Sequence, residues 1–583
     1  MEPSTEPSTE PSTEPSTEPS TSERQRLVRV ARGLEPADLV IRNAHVVDVF
    51  TLEVREADVA ICGAWIAGIG SYHHGLEMID ADGGFLAPGL IDGHVHLESA
   101  MLSPRRFAEV VVPMGTVGVI AEPHEIVNVI GVRGLEWTLE AGKTSGMHVW
   151  ASVPSCVPAS EFESAGATTN AQDVARALKL DGVLGLAEMM NYPGVLNANP
   201  EVWAILEASR GGRIDGHAAG LFSSEFSAYA AAGIHSDHEA VTEAEALERI
   251  RAGVWLMARE GPVSRNLAAL APLLERLKPH RAMLVTDDND PGSLLEDGHL
   301  DRVLREAVKL GIHPAYAIRL ASLSTAEYWR LESRGAIAPG YAADLVLFEN
   351  LQDFRAHWTM IEGRIVAQNG KLLEPGKAAP LEGLSGTVKL PTSWNADNLK
   401  VTNPKLLPVI GIYPDQVHTD TLEAQTLTEA NPSRDIIKLA VIERHTGSGR
   451  TGIAFAKGFG LQRGAYGQTV NHDAHNIILA GVNDDDMALV ARELERMGGG
   501  AVVVENGVVL ARLALPIAGL VSDAPATEVV RDLRALEAAT RSLGCVLPHP
   551  TMTLGFLGLT VIPSLKITDR GLFDVVGWKL LNE

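Results

Sequence analysis

The amino-acid sequence predicts an α/β protein: a (β/α)8, TIM-like barrel, a split β-sandwich domain around it, and an additional C-terminal α/β domain. Three observations carry that prediction. Between residues 88 and 339, apolar runs of four to six residues alternate with helix-like stretches, and most of the runs end in His, Glu or Asp. Short β-like blocks flank this region on both sides and resemble each other. Beyond a Pro/Gly/Lys-rich joint near 375–395, strand-like and helix-like segments alternate again as far as Glu583.

At 583 residues the chain exceeds one ordinary domain, and 45% hydrophobic residues supply several cores. Residues 1–24 are expected to be a disordered tail, because five copies of Glu-Pro-Ser-Thr bring nothing apolar to bury. The tail has neither a basic nor an apolar stretch, so it does not read as a secretory signal. In residues 25–87, DLVIRNAHVVDVF and EADVAICGAWIAGIG place Val and Ile at alternating spacing between Gly, Asn and Asp, the mark of short strands. Residues 340–378 repeat the pattern with ADLVLFEN and WTMIEGRIVAQNGK. Asp344–Phe348 resembles Asp38–Ile41, so both blocks are read as one β-domain split by a long insertion.

In the insertion, 88–339, the runs GTVGVIAEPHE, GMHVWASVP, GVLGLAEMM, RIDGHAA, AGIHSDHE and RAMLVTDDND read as buried parallel strands. Stretches such as 242–259 read as helices between them. Active sites on such barrels lie at the carboxyl ends of the strands, where these His, Glu and Asp residues fall. Residues 396–583 are expected to form the separate C-terminal domain.

Composition narrows the partners. A net charge of −25 repels phosphate backbones and anionic lipid, so neither nucleic acid nor a membrane is expected as a partner. Three widely spaced cysteines make no disulfide framework and no thiolate zinc site, which fits a reducing cytoplasm. A large acidic chain with an extra domain is expected to self-associate, as a homodimer.

The chemistry starts at LIDGHVHLE. Residues two apart on a strand point to one side, so His94 and His96 present two imidazoles to one point while Val95 packs behind them. Gly93 leaves backbone room beside the first imidazole. Further strand ends supply Glu122, His124 and Glu125, then Glu188, His217, His238, and Asp287 or Asp288. This set matches a centre of two divalent metal ions. One ion would take His94, His96 and the last Asp, the other His217 and His238, with Glu188 bridging and a hydroxide between them. Nitrogen and oxygen ligands without thiolate favour Zn, Fe or Mn.

FLAPGLIDGHVHLES resembles the metal-binding signature of the amidohydrolase superfamily. EPHEIVNVIG, LAEMMN, DGHAAG, SDHE and TDDND, with HDAHNIILAGVNDDDM, PIAGLVSD and IPSLKITDRGLFDVV near the C-terminus, resemble the adenine deaminases within it. The similarity spans about residues 27–583. Two departures separate the chain from sister families. Hydantoinases and dihydroorotases bridge their metals with a carboxylated Lys on strand 4, whereas here that strand ends in Glu188 with no Lys at 183–192. Mononuclear deaminases carry His-x-x-Glu on strand 5, where this chain has His217-Ala218-Ala219-Gly220.

The resemblance implies hydrolytic deamination of adenine to hypoxanthine and ammonia, in purine salvage, by a metal-bridging hydroxide attacking C6. It implies two divalent ions, Mn or Fe ahead of Zn. Asp287, chosen over Asp288 because it directly follows LVT, would be ligand and proton carrier. Glu188 and Glu125 complete the expected catalytic set, and His124, Glu125 and Asn191 the expected substrate contacts. His124 and Glu125 have a competing role in orienting His94 or His96. His472 and His475 of HDAHN could form a separate metal site, close over the barrel mouth, reach a neighbouring subunit, or be structural. The alternative function is a different binuclear amidohydrolase acting on a cyclic amide or N-acyl substrate.

Overall fold

A computed structural model describes residues 18–262, 265–414 and 416–581. Its first element corrects the reading of 1–24 as tail: Thr21–Ala31 is a helix, so Thr21 to Arg24 are its opening turn. Ser20 and Glu23 cap each other's backbone amides, and Leu27 and Val30 bury against Val40 and Trp65. Residues 1–17 of the expected tail lie outside the described residues.

Five strands precede the barrel: β1 (Ala37–Asp48), β2 (Glu53–Cys62), β3 (Trp65–Gly70), β4 (Gly75–Asp80) and β5 (Phe85–Pro88). The strand Leu345–Phe348, beyond the barrel, pairs antiparallel with β5, Leu345 opposite Pro88 and Phe348 opposite Phe85. The two blocks thereby join in one continuous nine-stranded sheet. Ile41, Val59 and Ile66 from the first block share a core with Leu345, Leu347 and Trp358 from the second, so the sheet curls around its own interior as a sandwich does.

The inserted strands are β6 (Leu90–His96), β7 (Thr116–Ala121), β8 (His148–Val153), β9 (Val183–Met189), β10 (Arg213–Gly216), β11 (Ser236–Asp237), β12 (Trp255–Arg259), β13 (Ala282–Val285) and β14 (Asp287–Asp288). All pair in parallel, in ladders of order β14-β6-β7-β8-β9-β10 and β11-β12-β13. Two seams close the ring. His235 N donates to Ile214 O at 2.9 Å between β10 and β11. On the other side β13 breaks at Thr286 and continues as β14, which sets Asp287 opposite Val95 and Asp288 opposite His96. Eight strand positions result, with β13 and β14 as one interrupted strand.

The position supplied by β12 was hidden in a stretch read as a single helix, 242–259. The helix is Glu243–Arg251, and Gly253 at φ 75° ends it in the left-handed conformation that glycine adopts without strain. Trp255–Arg259 then runs fully buried between two neighbours, where only a strand completes the ladder.

The C-terminal part is an eight-stranded sheet with the helices Asp484–Met497 and Ala526–Ser542. It docks on the barrel at several points. Leu102 bridges to Ser522, Arg105 binds Asp523, and Ser164 donates from its amide to Asp569 at 2.9 Å. The loop between its strands Ala465–Gln468 and Ile477–Gly481 carries His472 to His475 to the carboxyl ends of the barrel strands.

Candidate active site

His94 and His96 end β6, both buried, their rings 5.0 Å apart and nearly perpendicular. Gly93, within β6 just before the first ligand, serves packing rather than the imidazole. A Cβ on Gly93 would meet Met283 Sδ at 2.8 Å, inside the barrel core. His94 Nδ1–H donates to Asp215 at 3.3 Å, and its Nε2 is buried without a hydrogen-bond partner. His96 Nδ1–H donates to Glu122 O at 3.1 Å, while its Nε2 faces Asp287 Oδ1 at 3.1 Å and Glu188 Oε1 at 3.6 Å. A ring protonated at Nδ1 has a lone pair at Nε2. Aimed at carboxylates, that lone pair is repelled unless a metal ion or a second proton lies between them.

Glu188, ending β9, faces both histidine pairs. Its Oε1 points to His96, and its Oε2 lies 2.7 Å from His217 Nδ1 and 3.2 Å from His238 Nε2. His217 Nε2 and His238 Nδ1 are buried without partners. Ligand atoms of His94, His96 and Glu188 lie within 4.8 Å of one another, and so do those of Glu188, His217 and His238. His94 Nε2, His96 Nε2, His217 Nδ1 and His238 Nε2 all face carboxylates with no thiolate present, a donor set that fits divalent ions accepting N and O donors.

Asp287 and Asp288 part company at the strand break. Asp287 adopts φ 63° and turns to His96, whereas Asp288 accepts from the Ser99 hydroxyl. Burial would raise the carboxyls of Glu188 and Asp287. The surrounding histidines outweigh it at Glu188, and Arg259 with His96 at Asp287, so both stay well below the usual carboxylate range. Conversely, burial would strip the proton from His96, but Asp287 and Asp288 hold its basicity well above that of free imidazole.

Two groups here escaped the sequence reading. Glu239 lies 3.5 Å from His217 Nδ1 and 3.3 Å from His238 Nε2. Arg259, ending β12, donates to Glu239 at 2.7 Å and to Asp287 at 2.6 Å. The adjacent letters of SDHE were a signal for Glu239. Arg259 had none, because its strand was read as helix.

His124 stands beside Glu188, its Nδ1 4.0 Å from Oε1 and 3.3 Å from Glu122. Asn191, expected at the substrate, caps the helix Tyr192–Leu196, accepting from Gly194 N at 2.9 Å, and lies outside the residues lining the cavity. Glu125 meets the C-terminal domain, with His472 Nδ1 at 2.7 Å and His475 Nε2 at 3.6 Å. Ligand atoms of these three groups also lie within 4.8 Å of one another, and Glu125 Oε2 and His475 Nε2 are buried without hydrogen-bond partners. Asn471 N donates to His475 Nδ1 at 3.1 Å, and burial lowers the basicity of that ring well below that of free imidazole. The HDAHN loop closes over the barrel mouth. Its His472 and Asp473, with Phe556, Leu559 and Val561, form one wall of a cavity whose other wall is the histidine and carboxylate cluster.

Two family models match the chain: "Amidohydrolase family" over residues 85–366 and "Adenine deaminase C-terminal domain" over 415–579. The adenine deaminase of Deinococcus deserti is 50% identical over 564 residues, which covers 96% of this chain and 98% of the relative. That of Dehalococcoides mccartyi is 43% identical over 564 residues, covering 96% and 99%. "Adenine deaminase 2" of Carboxydothermus hydrogenoformans is 42% identical over 556 residues, covering 94% and 97%. The similarity runs through barrel, split sheet and C-terminal domain alike, and the chain belongs to the adenine deaminase family of amidohydrolases.

Proposed function

We propose that this chain hydrolyses adenine to hypoxanthine and ammonia, a purine-salvage reaction. The observation that carries the reading is Glu188, whose two oxygens face His96 on one side and His217 with His238 on the other. The full-length similarity to curated adenine deaminases supports the substrate. His94, His96 and Asp287 would hold one divalent ion and His217 with His238 the other, with Glu188 shared; Mn or Fe is preferred to Zn. Bound there, the ions supply the Lewis acidity that makes water nucleophilic near neutrality.

The chain's own groups do the rest. Asp287 takes a proton from the attacking water and returns it to the amino nitrogen that leaves C6. Arg259 holds Asp287 and Glu239 in place from behind. His124 and Glu125 face the ring, and the HDAHN loop excludes solvent from it. The proposed setting is a cytoplasmic homodimer, and the acidic charge supports the further expectation of no nucleic-acid or membrane partner. Among the described residues no helix is long and apolar enough to cross a membrane.

The test is ultraviolet monitoring of adenine conversion by protein loaded with Fe(II), Mn(II) or Zn(II), with hydantoin and dihydroorotate as controls. Inactivity on adenine in metal-replete protein would overturn the reading. Glu188→Gln is expected to abolish turnover and lower metal content, and full activity in that variant would refute the shared-ligand role.

A further inference from the structure

Asp473 brings a carboxylate of the C-terminal domain into the barrel's cavity, and none of the metal-ligand contacts uses it. It is 2% exposed and lines the cavity. Its Oδ1 lies 3.5 Å from His124 Nε2, while its Oδ2 is buried without a hydrogen-bond partner. A desolvated carboxylate oxygen with no donor is costly unless a ligand supplies one.

Its position identifies the part of the ligand it meets. The His124 ring stands between Asp473 and Glu188, with Nε2 facing the first and Nδ1 the second. Asp473 is thus one imidazole removed from the carboxylate that joins the two histidine pairs. A flat purine with C6 at the Glu188 end presents a different edge here. The surrounding wall is apolar, formed by Leu559 and Val561, with Phe556 stacked on His472 at 4.5 Å and 11°. Adenine has two kinds of N–H: the 6-amino group, which departs, and the N–H of its five-membered ring. Its remaining nitrogens are acceptors, which a carboxylate repels.

We propose that Asp473 accepts a hydrogen bond from the five-membered-ring N–H of the purine and thereby selects free bases over purines substituted on that ring. The proposal rests on adenine being the substrate. A substituent at N9 removes the donor and leaves Oδ2 desolvated and unpaired. Sites built around such a donor reject analogues lacking it by about 10⁴–10⁵-fold.

Ammonia release from adenine by metal-replete wild type is read first, and bears on the catalytic reading alone. Asp473→Leu, which removes the acceptor at similar size, and Asp473→Ser, which also opens room, are then compared with it. The KM for adenine is expected to rise at least tenfold with kcat within about threefold, metal content and thermal midpoint remaining those of wild type. In Asp473→Ser the preference for adenine over 9-methyladenine, as a ratio of kcat/KM, is expected to fall at least tenfold. A lowered kcat with KM and preference unchanged would mean that Asp473 acts only through His124, and overturns the proposal. Should both variants misfold, wild type decides by calorimetry with hypoxanthine, which keeps the ring N–H, and 9-methylhypoxanthine, which lacks it. Binding at least 100-fold weaker for the methylated base supports the proposal, and equal affinity overturns it.

Discussion

Arg249 donates to Asp237 at 2.8 Å, and both side chains are completely out of solvent. Asp237 also accepts from Ala218 N at 2.9 Å and Glu239 N at 3.2 Å, and Arg249 donates to Ala218 O and Leu221 O. One buried ion pair therefore ties together the backbone just beyond His217 and on either side of His238. Arg249→Met strands the Asp237 charge, and a loss of about 3–5 kcal/mol is expected. Urea denaturation reads the loss, and metal analysis should show less bound metal than in wild type. An unchanged urea midpoint would show that the pair contributes nothing.

Asp215 fixes the tautomer of His94. It accepts from His94 Nδ1 at 3.3 Å and from Tyr328 at 2.7 Å, and is also held by the Ser236 hydroxyl. Asp215→Asn should weaken metal binding roughly 10–100-fold. Competition with a chelator measures this, and wild-type affinity in the variant would detach Asp215 from the centre.

Asn191 separates a structural from a substrate role. Its side chain caps a short helix and is taken up by Gly194 N. Asn191→Ala is expected to cost about 1 kcal/mol of stability while the KM for adenine stays unchanged. A raised KM with intact stability would return Asn191 to the substrate.

Acid stability has an identifiable contributor in the C-terminal domain. Burial raises the Glu443 carboxyl, but the Ser448 hydroxyl and the Thr446 amide and hydroxyl outweigh it and hold the group at about 2 instead of 4.5. A carboxyl depressed in the folded state stabilises it above the unfolded value. That contribution is lost as pH falls from about 4.5 toward about 2. Glu443→Gln should therefore flatten the pH dependence of the urea midpoint in this window, leaving its value near pH 7 lower. Parallel curves for the two proteins would exclude the group.

Much of the candidate site was legible because its residues end strands. His94, His96, Glu188, His217, His238 and Asp287 each follow an apolar run, and a parallel barrel sends every such terminus to one rim. The structure brings all six to that rim within a few ångströms. Arg259 was illegible for a local reason. Helix Glu243–Arg251 and strand Trp255–Arg259 are separated by so few residues that apolar content alone merges them, and only Gly253 marks the boundary. Asn191 is ambiguous for a different reason: it sits beside a strand-end acid and caps a helix, and caps and ligands draw on the same polar residues.

What the sequence by itself determined is the set of groups and their order along the chain, since hydrophobic period and turn residues are local properties. Which of those groups meet was decided only by tertiary structure. The strand break at Thr286 brings Asp287 Oδ1 to 3.1 Å from His96 Nε2, while Asp288, in the same cluster, accepts from the Ser99 hydroxyl. A loop some 350 residues beyond His124 brings Asp473 to its ring. No local pattern encodes such a contact, because it depends on how one domain packs against another.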